Sequence, residues 1–525
     1  MNILNLLIQH SPALIVAVPL FGAFLTPLIS RVNEKVRNIF AIFVLALTGV
    51  FVLLLSSDVI PNGPRVYIFG AKDHTIPVLR ILFEVDGMSI FMAIVSVILA
   101  LVAVIYSWSF MKENSGLDKY YTLLLLLTAS MLGLELTGDI FNFFVFLEIT
   151  CISSCALIAF WVHEGEAVEA AFKYIVVSAI GALFVLFAIA LLYGQYDALN
   201  IATLASVIQY TFLDKIALVL LVVVLGMKAG LVPMHMWLPD SYGRAPPSAT
   251  IIIIGATQAS LYGVFRVCFT LYGGIFRDMT LSSVSVGWII VILGLITVLV
   301  GVIMALIQID FRRLIAYSAV AEIGYIFLGI GVGLVVLGDP TMLDVGKTAM
   351  QGGVFHIIND ALDVSLLFLV AGAVYYATKE NSLNRMGGLA RNMKYTTVFF
   401  LIGLLAVAGM PPMNGFASKL LIYESVYRIN PILSIIAILC SILLLAIFVK
   451  VFHSAFLGPK LPKFKDVKEV PISMLLAMGV IASLIIIFGI FPQIVLSNIV
   501  QPAADSLLNY GDYIRQIVSS FSGGM

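Results

Sequence analysis

Charge is scarce in this chain. Of its 525 residues only 11% are Asp, Glu, Lys or Arg, against 61% hydrophobic. A water-soluble domain carries about a quarter charged residues, so a soluble globular body of this length is excluded. Lys plus Arg and Asp plus Glu balance at 29 each, which gives no basic surface for nucleic acid. Cysteine is rare as well. Cys151, Cys155, Cys268 and Cys440 all lie in apolar segments, without the spacing of a zinc or iron–sulfur site. Cys151 and Cys155 share a helical face and read as small core residues. No cofactor or metal is expected in the chain itself, so any redox centre belongs to a partner. No Lys or Arg precedes Arg31. The first apolar run therefore lacks the basic region of a signal peptide and reads as a retained span.

What the chain has in abundance is long apolar runs, and its mean hydropathy is +1.10. A membrane-spanning helix needs about 20 such residues, whereas a β-barrel shows short alternating segments. The expected fold is an all-α polytopic membrane protein lying in the bilayer, with about fourteen spans. These are 11–30, 38–57, 84–110, 119–137, 139–161, 167–193, 213–234, 247–273, 284–308, 313–337, 349–377, 395–427, 431–457 and 472–496. Loops are short, so residues 1–525 form one membrane domain. Within it, 1–110 holds the N-terminal helices, 119–273 a first repeat, 284–457 a second repeat, and 472–525 a last helix and tail. Basic residues around 31–37, 112–119, 244, 312–313, 379–394 and 460–468 outnumber those on the other side, such as Arg65, Lys72, Arg80 and Lys215, by about two to one. The richer side is expected to be cytoplasmic, in a plasma-membrane protein with both termini outside.

Two spans are interrupted, at "GMKAGLVP" (226–233) and "GMPPMNGFASK" (409–419). Paired Gly/Pro breaks at corresponding positions mark internal repeats around a site at mid-membrane. The two lie five helices apart in the order, and an odd count of five helices per repeat would make the repeats inverted. Each break has a lysine beside it, Lys228 and Lys419. Further ionisable residues sit inside apolar runs: Glu148, Lys173, Glu322, His356, Asp360 and Asp363. The last three follow i, i+4, i+7 spacing and share one helical face. A charge at the bilayer centre costs about 2.5 kcal/mol or more. A single buried pair is explained by helix packing alone; a set spread over both halves is not. Desolvation weakens a lysine's hold on its proton and a nearby carboxylate restores it, so such a row, with water between, can pass protons along the membrane. Lys173 also fits a side chain that snorkels to the interface, and His235 fits an interfacial loop as well as a relay. Asp86 and Asp139, at span ends, read as caps or interface residues.

"LTGDIFNFFVFLEIT", "EAAFKYIVVSAIG", "GMKAGLVPMHMWLPDSYGRAPPSA", "IDFRRLIAYSAVAEIGYI", "FHIINDAL" and "AGMPPMNGFASKLLIY" follow one another in this order. From about residue 80 onward the chain resembles the antiporter-like subunits of complex I, Mrp-type sodium/proton antiporters and membrane-bound hydrogenases. Without the long lateral helix of the largest complex I member, it looks more like the Mrp D subunit and its hydrogenase counterpart. The resemblance implies fourteen helices with two inverted five-helix repeats, each with a broken helix. It implies that Glu148 is the family's essential glutamate, Lys228 its partner, Lys419 the terminal lysine and His356 a member of the central axis. The chain departs from the pattern at Gln258 and Val364, where the family has lysines, at Asp360, where it has a second histidine, and at Arg312, where lysine is common.

The expected function is proton or sodium/proton translocation within a hydrogenase-like or sulfur-reductase-like complex, beside other membrane subunits and peripheral redox subunits. The expected path runs from Glu148 and Lys228, with Lys173 and His235 beside them, through Gln258, His356, Glu322, Asp360 and Asp363 to Lys419. The acidic face there leaves room for sodium, since carboxylate oxygens suit hard cations. The rival readings are the D subunit of a stand-alone sodium/proton antiporter, a scaffold that conducts nothing, and an independent solute permease.

Overall fold

The computed structural model describes residues 3–69, 81–278, 281–459 and 461–515. Lys72, His74, Arg80 and Lys460 lie outside them. Helices α1 (Ile3–Ser30) and α2 (Glu34–Asn62) lead to strands β1 (Arg65–Ile68) and β2 (Leu82–Val85). Then come α3 (Gly87–Phe110), α4 (Leu117–Leu136), α5 (Ile140–Ile158), α6 (Gly165–Tyr196), a short α7 (Ile201–Val207), α8 (Phe212–Ala229), α9 (Trp237–Arg244) and α10 (Pro247–Phe265). A π-helical turn, Arg266–Leu271, continues α10 into the short α11 (Gly273–Arg277). The second half holds α12 (Leu281–Ile307), α13 (Phe311–Val336), α14 (Leu343–Thr378), α15 (Lys394–Val407), α16 (Asn414–Ile429), α17 (Pro431–Val451) and α18 (Ile472–Ile490), then α19 (Pro492–Val495) and α20 (Gln501–Leu508).

Helix covers each of the expected apolar segments, and among the described residues eleven helices are long and apolar enough to cross a membrane. The chain is a multi-pass membrane protein. The hairpin departs from an all-α reading: β1 and β2 pair antiparallel, Arg65 opposite Val85. Four-residue strands are too short to show a clear alternation, and the span expected from residue 84 begins instead at Gly87. Asp86 caps that helix by accepting from Ser89 N, and Asp139 caps α5 by accepting from Asn142 N, as expected of carboxylates at helix N-termini.

The layers sort by burial. The most apolar windows of α10 and α14 are 100% buried and that of α13 is 94% buried, against 39% for α2, α6, α17 and α18. Helices covered on all sides belong to the interior of a bundle. Their close packing depends on small residues. A side chain at Gly301 would meet the Ala321 nitrogen at 2.5 Å, and one at Gly324 the Val298 nitrogen at 2.6 Å. These contacts lock α12 onto α13 on either side of Glu322.

Both expected breaks are present. α8 stops at Gly230 (φ +91°) and α15 just before Gly409 (φ +68°), each followed by a cis X–Pro bond, Val232–Pro233 and Pro411–Pro412. Only glycine adopts such φ values at little cost, and proline withholds the amide that would continue the helix.

Candidate functional site: a buried polar axis

The two lysines sit on opposite sides of their breaks. Lys228 is in the last turn of α8, while Lys419 is in the second turn of α16. Lys419 Nζ reaches back across its break to donate to the Val407 carbonyl at 2.7 Å, one of the carbonyls left free where α15 ends. It also donates to Glu322 Oε1 at 2.8 Å and to Ser441 Oγ at 3.3 Å. Its ammonium lies 4.5 Å from the centre of the Tyr325 ring, a cation–π contact.

Glu322 is shared. Its other oxygen lies 3.0 Å from His356 Nε2, and His356 Nδ1 is 2.9 Å from Ser418 Oγ. Four helices thus converge: α13 supplies Glu322, α14 His356, α16 Lys419 and Ser418, and α17 Ser441. Asn359 and Asn414 close the group, Asn359 donating to Ser418 Oγ and to the Asn414 carbonyl, and Asn414 donating to Asn359 Oδ1. Lys419, Glu322 and His356 are all 1% exposed or less. A carboxylate held between a lysine and a histidine can take a proton from one and give it to the other.

One turn further along α14, Asp360 accepts from the Gln258 amide of α10. Asp363 follows, its Oδ2 placed where a side chain at Gly415 would meet it at 3.2 Å. Asp360 Oδ1, Asp363 Oδ1 and Gln258 Oε1 are buried without a protein partner, the condition in which buried oxygens recruit water. The expected common face of His356, Asp360 and Asp363 therefore looks into the junction of α10, α13 and α16. Among the described residues no group of three or more His, Cys, Asp or Glu side chains is placed to hold a metal.

The first half is arranged differently from the expected pair. Among the described residues no ion pair joins Glu148 to Lys228. Lys228 Nζ instead meets Cys151 Sγ at 2.6 Å, one turn along α5 from Glu148. Glu148 is half-buried and its Oε1 has no partner. Cys151, taken from the sequence as a core residue, thus lies against the candidate lysine. Both border a cavity of about 10 Å3, room for about one water, together with Tyr174, Thr257 and Ser260. Thr257 lies 2.6 Å from the Tyr242 hydroxyl and directly precedes Gln258, so α10 carries the polar line from this cavity to Asp360.

Two residues fall off this line. Lys173 is 47% exposed and pairs with Glu169 (2.8 Å) and Asp240 (3.0 Å), the latter on α9. Arg313 joins the same Asp240 at 3.2 Å, so this is a surface network beside the first break. His235 lies between α8 and α9, buried, with Nδ1 unpartnered. Sequence reasoning missed Ser418, Asn359, Asn414 and Ser441. Of these Asn359, Asn414 and Ser418 carried a signal, lying in the polar stretches around His356 and Lys419.

Comparisons place the chain among known proteins. The profile of the family described as NADH:quinone oxidoreductase/Mrp antiporter, TM, matches residues 137–445. That of NADH-ubiquinone oxidoreductase (complex I), chain 5 N-terminus, matches 78–121. The chain is 30% identical to NADH-quinone oxidoreductase subunit N of Desulforudis audaxviator, over 94% of its own length and 98% of that protein. It is 28% identical to the A subunit of the Na(+)/H(+) antiporter of Alkalihalophilus pseudofirmus over 93% of its own length, but spans only 62% of that protein. Among solved structures, a chain of the Mrp complex from a Dietzia species superposes with TM-score 0.84 at 24% identity, covering 98% of this chain and 99% of that one. A chain of an archaeal membrane-bound sulfane sulfur reductase gives 0.83 at 26% identity, covering 97% and 100%. The chain belongs to the NADH:quinone oxidoreductase/Mrp antiporter transmembrane family.

Proposed function

We propose that the chain is an ion-translocating subunit of a larger complex in the plasma membrane, carrying protons, or sodium against protons, through the polar axis at its centre. The observation that carries this reading is the connected group Lys419–Glu322–His356, buried at the second break and continued through Asp360 and Gln258 toward the Lys228 cavity. Packing alone does not call for so many costly groups along one line. Water beside Asp360, Asp363 and Gln258 completes the path. The fourteen-span count, the two inverted five-helix repeats and the boundaries 119–273 and 284–457 belong to the same proposal. They are supported by the two matching breaks.

At the first break, Lys228 exchanges partners. It rests against Cys151 and turns to Glu148, one turn away, when a neighbouring subunit changes the charge at that half-buried carboxylate. The relatives named NADH-quinone oxidoreductase, Na(+)/H(+) antiporter and Hydrogenase-4 component B and the sulfur-reductase complex support a multisubunit setting. A redox-linked complex is the favoured parent. The subunits that purify with the chain separate it from a stand-alone antiporter. Gln258→Leu tests the path: it fills the same space between α10 and α14 and removes the link to Asp360. Ion movement by the assembled complex is expected to stop. Unchanged movement refutes the axis.

A further inference from the structure

At the end of the bundle opposite the Lys/Arg-rich loops, a second buried polar group stands apart from the axis. Glu84 and Asp86 are two residues apart in extended chain, so their side chains leave on the same side. Asp86 is fully satisfied. It accepts two 2.8 Å bonds from the Arg266 guanidinium and caps α3 through Ser89 N. Arg266 in turn lies 4.7 Å from the centre of the Tyr513 ring and donates to the Tyr262 hydroxyl at 3.1 Å.

Glu84 is not accounted for by that pair. It is 0% exposed, and neither of its carboxylate oxygens has a partner. The Tyr513 hydroxyl, also buried and without a well-aligned hydrogen bond, lies beside the Glu84 carboxyl. An ionised carboxylate left bare in this way costs several kcal/mol. Beside the group lies a cavity of about 330 Å3, which Asp86, Tyr513, Asp505, Ser506, Asn509 and Asp512 help to line. It is wide enough for several waters. Asn509 and Asp512 at its rim are exposed. The acidic lining draws cations and repels anions.

We propose that Glu84 is a proton-binding site of its own, and that it exchanges its proton with water in this cavity by way of Tyr513. The Glu84 carboxyl releases a proton to a cavity water, which becomes hydronium, and leaves a carboxylate facing Arg266. The reverse step returns the proton. Tyr513 accepts on its oxygen as it donates its own hydrogen, so no charge accumulates on it. Burial holds the Glu84 carboxyl well above the ordinary glutamate range; Arg266 opposes this and Asp86 adds to it. Tyr262 is the other titratable group at Arg266. The α4–α5 turn meets Glu84 at Gly138, beside Asp139, which is occupied in capping α5. The site stands without the translocation reading, but its use as the exit or entry point of the transported proton rests on it.

Infrared spectroscopy of the complex that contains the full chain tests this without any transport assay. A carboxylic-acid carbonyl band that persists above the pH range in which ordinary glutamates ionise, is lost as the pH rises further and shifts promptly in heavy water is expected. Glu84→Gln abolishes it. Tyr513→Phe keeps the ring under Arg266 and slows the heavy-water shift at least tenfold. A band unchanged in Glu84→Gln overturns the assignment. If that variant does not assemble, Tyr513→Phe alone decides, and a heavy-water shift as fast as in the unmodified protein overturns the proposal. Ion transport that continues unchanged in Glu84→Gln, with the band gone, overturns only the use of the site.

Discussion

Replacing Glu322 with glutamine separates a structural ion pair from a conducting one. Glutamine keeps the shape and can still accept from Lys419, so what is lost is one buried negative charge. Lys419 then keeps the Val407 carbonyl and Ser441 Oγ but no counter-ion. Breaking a buried pair from one side costs about 3–5 kcal/mol. Two remaining acceptors and the Tyr325 ring argue for the lower end, about 3 kcal/mol, roughly a hundredfold in the folded-to-unfolded ratio. Lys419→Gln alone leaves Glu322 with only His356 and is expected to cost a similar amount. The double variant, Glu322→Gln with Lys419→Gln, leaves two neutral amides able to bond each other. Most of the stability is expected to return: the double variant costs about 1 kcal/mol against about 6 for the two single variants added, a coupling energy of about 5 kcal/mol. The assay pairs thermal unfolding of the detergent-solubilised complex with ion movement in reconstituted vesicles. Stability that recovers while transport stays lost is the expected result. Transport that recovers together with stability would show that the pair only holds helices together, and the reasoning would fall.

Further outcomes follow from the rest of the site. Asp360→Asn with Asp363→Asn is expected to change the sodium dependence of transport, because their free oxygens face the junction of the axis; a change confined to thermal stability would make these carboxylates structural. Lys173→Ala is expected to leave unfolding unaltered within error, since exposed ion pairs contribute little. A marked loss of stability would place Lys173 in the packed interior instead.

The spans were legible because apolar runs near bilayer length fit little besides a membrane. The breaks were legible because glycine and proline act on the backbone directly. The hairpin was not, since strands of four residues lack a readable period. The axis was partly legible. A charge inside an apolar run stands out, so Glu322, His356, Asp360, Asp363 and Lys419 could be named. Their connections could not, because they depend on which helices become neighbours. Hence the sequence pairs Glu148 with Lys228, whereas in the fold it is Cys151, one turn along α5, that meets that lysine. Glu84 and Arg266 escaped notice for the opposite reason: near a span end a charge looks ordinary, and only the fold buries it.

The central claim, that ions pass through this axis, is tested most directly by Lys228→Ala in the complete complex, reconstituted into vesicles with a pH-sensitive dye inside. With assembly confirmed by an unchanged subunit composition, the account predicts that ion-driven acidification or alkalinisation of the lumen disappears. A rate equal to that of the unmodified complex would contradict it.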